Sequence, residues 1–128
     1  MPNDEYAQSG LLALASFSQS NVEIQSELNS MLHEYPRSAH LHFLKGSLHA
    51  AAGEWNKAQT SFFEASHWNS NNADYVFNLA VSLDHLGQRK QAQQFYKKAL
   101  QLSSQYAFGF SLDAVRKRLQ VLEISEND

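Results

Sequence analysis

The sequence predicts an all-α protein: a stack of about three helix-turn-helix units, closed by one further helix at the C-terminus. Three observations carry this. "GEWNKAQTSFFEAS" (Gly53 to Ser66) and "GQRKQAQQFYKKAL" (Gly87 to Leu100) align without a gap at an offset of 34 residues, placing Gly53 on Gly87, Ala58 on Ala92, Phe62 on Tyr96 and Ala65 on Ala99. In both copies one glycine separates two helix-periodic runs. Repetition at this period marks units that cannot bury an apolar face alone and must stack. Finally, the 128 residues are 43% hydrophobic and contain no cysteine, so an ordinary apolar core, without disulfides, has to hold them.

Taken in order, the units fall at residues 5–38, 39–72 and 73–106. The first is degenerate, with Gln19, Ile24, Leu28 and Met31 at the places of Gly53, Ala58, Phe62 and Ala65, and Pro36 following its second helix. In the third, Asn72 or Asp74 caps a helix running to about Leu86, Gly87 supplies a left-handed stop, and a second helix runs from Arg89 to about Leu102. Ala58, Ala65, Ala92 and Ala99 are small where antiparallel helices must approach, and Phe62 and Tyr96 fill the space between them. Gly46 and Ala80 play the small part on the first helices, and Leu79 and Leu83 share the buried face. Residues 107–123 give one more helix, N-capped by Ser111, running from Leu112 to about Glu123 with an apolar stripe of Val115, Leu119 and Leu122. Residues 124–128 form a polar, frayed tail.

These residues resemble the tetratricopeptide repeat family, whose units read W-x2-L-G-x2-Y, then A-x3-F, then alanine and proline. The third unit matches through Val76, Leu79, Ala80, Leu83, Ala92, Tyr96 and Ala99, with Ser104 at the usual proline. The middle unit matches through Gly46, Ala58, Phe62 and Ala65, but carries His42, Lys45 and His49 where the family favours Trp, Leu and Tyr. The first keeps Leu11 and Pro36 and puts Ile24 and Met31 in place of alanines. The resemblance implies a right-handed superhelical stack, with the helix after Ser111 capping its last unit and the first helix of each unit lining a concave groove.

The implied groove positions are Tyr6, Ala13 and Phe17 in the first unit and His40, Phe43, Ser47 and Ala50 in the second. In the third, Val76, Leu79, Ala80, Leu83 and Leu86 form the buried stripe, and Phe77, Val81, Asp84 and His85 form a second stripe on the adjoining face, more apolar surface than one neighbour needs. Asn78 can hydrogen-bond an extended backbone through its amide. Chaperone-binding relatives hold a C-terminal carboxylate with groove lysines and asparagines, and this chain offers no such basic set. The lining therefore suits a protein partner presenting an apolar or amphipathic peptide or helix. Phe43 and Phe77 equally fit packing against the next unit.

Other functions find little support. A net charge of −3 supplies no field for nucleic acid. "GLLALA" (Gly10 to Ala15) follows two acidic residues and is too short to insert into a bilayer. His40 and His42 point to different sides of a helix, and His42 and His49 lie about 10.5 Å apart along one, so neither pair makes a metal site and all read as partly exposed. Carboxylates are scattered, no glycine-rich phosphate loop occurs, and Ser47 and Ser82 sit inside helices, so neither an enzyme nor a cofactor is expected. "RKR" at Arg116 to Arg118 reads as a solvated face. A second reading is self-association, through the C-terminal helix or the degenerate first unit: Gln8 and Ser16 in that unit, and Lys45 and His49 at usually buried places of the second, depart from normal packing. The third unit and the helix after it are also similar to C-terminal repeats of bacterial pilus and type II-like secretion assembly proteins. The expected location is soluble: cytoplasmic for a whole protein, periplasmic for a domain of an anchored parent.

Overall fold

The computed structural model describes residues 21–127, with side chains described over 22–124. Six helices follow one another among them: α1 (Asn21–Glu34), α2 (Ala39–Ala51), α3 (Trp55–Trp68), α4 (Ala73–His85), α5 (Arg89–Ser103) and α6 (Leu112–Asn127). α2 pairs with α3 and α4 with α5, each pair a helix-turn-helix unit, while α1 lies against α2 and α6 against α5. Tyr6, Gln8, Leu11, Ala13, Ser16 and Phe17 lie outside the described residues.

Local chemistry sets the boundaries. Ser38 Oγ accepts the Leu41 N–H at 3.1 Å and Asn72 Oδ1 accepts the Tyr75 N–H at 3.1 Å, so equivalent N-caps open α2 and α4. Ser111 Oγ does the same for the Ala114 N–H at 3.2 Å at the start of α6. Gly53 and Gly87 have φ of 75° and 77°, a conformation costly for any side chain. Each completes a paired stop: Gly53 N–H bonds Ala50 O and Glu54 N–H bonds His49 O, repeated by Gly87 to Asp84 and Gln88 to Leu83. α6 runs past the expected end at about Glu123 to Asn127, because no glycine or proline interrupts it.

Packing follows the small-and-large rule read from the sequence. A Cβ built on Gly46 would lie 2.7 Å from Cδ1 and Cε1 of Phe62, so the ring occupies the space a methyl would need. The main core joins Ala58, Phe62, Leu79, Ala80, Leu83, Ala92 and Tyr96 to Val115, Leu119 and Leu122 of α6. A separate, smaller cluster of Ile24, Leu28 and Leu41 holds α1 to α2.

Candidate protein-interaction groove

α2 and α4 lie side by side and present a row of rings. Phe43 sits 5.6 Å from Phe62 and 4.9 Å from Tyr75, centroid to centroid. Phe77 repeats the first contact 34 residues on, 6.1 Å from Tyr96, and replaces the second with Phe110, stacked at 4.7 Å and 12°. Each ring packs against neighbouring elements, and each stays half-buried and lines a cavity of about 390 Å³. His40 and Asn78 line the same cavity, so the structure brings four of the sequence-predicted groove residues together.

The remaining predicted positions are used differently. Ser47 Oγ donates to Phe43 O at 2.9 Å, turning its hydroxyl onto its own helix. Val81 is half-buried against the main core. His85 lies flat on Trp55, centroids 3.8 Å apart and planes 3° from parallel, tying α4 to the start of α3. Asp84 accepts from Arg118 Nε and Nη2, both at 2.6 Å, and from the Tyr96 hydroxyl at 3.0 Å. Packing therefore does require Asp84 and His85, contrary to the sequence expectation, because α3, α5 and α6 each send a partner onto the end of α4. Arg118, expected on a solvated face, is likewise committed. Asn78 Nδ2 donates to Asp74 O at 2.8 Å, which leaves its Oδ1 and second N–H for other contacts.

Electrostatics at this junction follow from the geometry. Burial by itself raises the Asp84 carboxyl, but hydrogen bonds from Arg118 and Tyr96, with the Arg118 charge, outweigh it and hold the group below the usual carboxylate range. The Tyr96 phenol is pushed well above its ordinary value, first by burial and then by the Asp84 charge.

Four residues of the cavity lining escaped sequence reasoning. Tyr75 faces Phe43, and Asp74, considered only as a cap, accepts the Gly109 main-chain N–H on Oδ1 at 2.8 Å. Gly109 and Phe110, from the connection between α5 and α6, close the far side of the cavity. The one signal was composition: two phenylalanines in a segment otherwise read only as a lead-in to α6.

A second cavity, about 500 Å³, is polar and opens between α1, α2 and α3, with Lys45, His49, Asn29 and Lys57 among its lining. Lys45 and His49 stand where the next unit has the buried Leu79 and Leu83, 34 residues on. His49 is buried, not partly exposed as expected; its Nδ1 donates to Glu54 Oε1 at 3.3 Å. That bond, with a second from Lys57, lowers the Glu54 carboxyl. Among the described residues no group of three His, Asp or Glu side chains is placed to hold a metal.

No protein-family model matches this sequence, and no curated protein matches it. Solved structures do. The tetratricopeptide domain of Sgt2 from Aspergillus fumigatus has a TM-score of 0.77 at 14% identity, over 97% of this chain and 80% of that one. The fold is that of a tetratricopeptide domain. The MamA crystal structure has a TM-score of 0.69 at 19% identity over 80% of this chain, which spans 56% of the MamA chain. Within the tetratricopeptide fold α2 and α4 are the first helices of consecutive units, and the ring-lined cavity lies between them.

Proposed function

We propose that this chain is a non-enzymatic protein–protein interaction module that takes an apolar or amphipathic peptide or helix of a partner protein into the groove between α2 and α4. One observation carries the reading: Phe43 and Phe77, both half-buried, share an open cavity rimmed by His40 and Asn78, so ring surface and hydrogen-bonding groups converge. Among the described residues no lysine or arginine lines that cavity, which disfavours a carboxylate-terminated ligand. Within the groove His40, Phe43, Phe77 and Asn78 are the contact residues, while Val81 packs against the main core. Tyr6 and Phe17, outside the described residues, extend the proposed lining into the first unit. For the expected association with bacterial pilus or secretion assembly, neither structural likeness offers support.

Peptides selected from a random library against the folded domain, mapped by amide chemical shifts, test this. Shifts centred on His40, Phe43, Phe77 and Asn78, lost in a folded His40→Glu, Asn78→Glu variant, are the expected result. Binders that map consistently elsewhere overturn it.

Self-association is the second reading. Val121 and Ile124, one turn apart on α6, are 48% and 63% exposed and offer an apolar edge to a second copy. Light scattering across a concentration series decides it, and a strict monomer at millimolar concentration removes it. Among the described residues no helix is long and apolar enough to cross a membrane.

A further inference from the structure

The connections between units are short: four residues, 35–38, join α1 to α2, and four, 69–72, join α3 to α4. The connection from α5 to α6 has eight, 104–111, although α6 packs on the same core as α3, α4 and α5. Four residues suffice to set the next helix in place, so the surplus is free to run elsewhere, and it runs along the groove. It carries Phe108, Gly109 and Phe110. Phe110 stacks on Phe77, Phe108 lies 5.0 Å from Phe110 while 37% exposed, and Gly109 gives its main-chain N–H to Asp74. Among the described residues, no main-chain N–H from Ala107 to Ser111 donates to a main-chain carbonyl. The segment is thus held as a bound peptide is held, by a ring on an aromatic platform and an N–H on a carboxylate.

We propose that Phe108–Gly109–Phe110 is a built-in competitor for the groove, and that the partner's matching segment is an extended peptide presenting an aromatic side chain next to a free main-chain N–H. This rests on the groove reading above and adds its ligand chemistry and its regulation. With the strap in place Phe110 takes one face of Phe77 and Gly109 takes Asp74 Oδ1, and the cavity that stays open is the space left between the strap, Phe77 and Phe43. A partner that needs Phe77 binds only the strap-open fraction of molecules, so its apparent affinity falls by that fraction.

The probe is a blocked synthetic peptide of the chain's own residues 104–113, SQYAFGFSLD, titrated into the full chain and into its Phe108→Ala, Phe110→Ala variant and followed by NMR. The variant should bind at least about tenfold more tightly than the wild type, with shifts at Asp74, Phe77 and Asn78, and a control peptide with both phenylalanines changed to alanine should not bind. Equal affinity for the two proteins, no binding to the variant, or shifts outside the groove each overturn the proposal. If the variant does not fold, hydrogen exchange of the wild type decides: a Gly109 amide that exchanges by local opening, far ahead of Leu79 and Leu83, supports a displaceable strap, and exchange only with global unfolding overturns it. Library-selected peptides that fill the groove equally well in wild type and variant would leave the groove reading standing and remove the strap.

Discussion

Arg118 closes a two-pronged grip on Asp84, Nε to Oδ2 and Nη2 to Oδ1, and so pins α6 to the end of α4. The same carboxylate accepts the Tyr96 hydroxyl, so one side chain joins three helices, α4, α5 and α6. Arg118→Ala should cost about 1–2 kcal/mol of unfolding free energy, since a fork on a carboxylate is strong but this arginine is half exposed. Tyr96→Phe keeps the ring and should cost about 1 kcal/mol. The double variant should lose less than the sum, because both changes act on one acceptor; chemical denaturation of the four proteins measures it.

The depressed Asp84 carboxyl predicts an acid limb. A group whose folded value lies below its unfolded value, about 3.9 for aspartate, binds protons more readily when unfolded. Its stabilisation is complete above about pH 4 and disappears as pH falls through the lower folded value. Melting of the wild type should therefore drop more steeply below pH 4 than melting of Asp84→Asn.

Tyr96 predicts the opposite limb. Its phenol titrates above the ordinary tyrosine value of about 10, so the folded state keeps a proton that the unfolded state releases. The stabilisation holds below about pH 10 and is lost as pH rises further. Ultraviolet titration should show a tyrosine ionisation displaced above the ordinary range, and Tyr96→Phe should abolish it.

Gly46→Ala should destabilise the chain by about 1–3 kcal/mol, because the new methyl meets the Phe62 ring inside a filled interior. Combining it with Phe62→Leu should restore part of the loss. Full additivity of the two changes in thermal melts would show that the clash is not what Gly46 avoids.

Lys45→Leu should raise stability by about 1 kcal/mol by giving the second unit the leucine that the third has as Leu79. Peptide binding in the groove should not change, since Lys45 lines the other cavity.

What the sequence disclosed depended on the range over which each signal acts. The cap at Ser111 and the stop at Gly87 work within a few residues, so residue type pointed to them; at α4 it left Asn72 and Asp74 as alternatives, and the Ser38 cap of α2 was not read. The seams survived because repetition exposes them: Ala58 and Ala92 mean little singly and much when superimposed. Helical spacing reported which face Phe43 and Phe77 occupy, but not that one ring can both pack and line a cavity. The grip of Arg118 on Asp84 spans 34 residues and leaves no periodic trace, so Asp84 looked spare. The strap was hidden for another reason, since a connection has no pattern from which its path could be read.

The polar cavity at Lys45 and His49 also governs how far cooperativity reaches. In a linear stack each unit is held by its own contacts and by coupling to its neighbours. The Ile24, Leu28 and Leu41 cluster is separate from the larger core that runs on through α6, so that coupling is weak where α1 meets the rest. Among the described residues α1 should therefore open first, with its amides exchanging at lower free energy than those of α4. A protein built this way can yield at one end while the ring-lined face between α2 and α4 stays assembled.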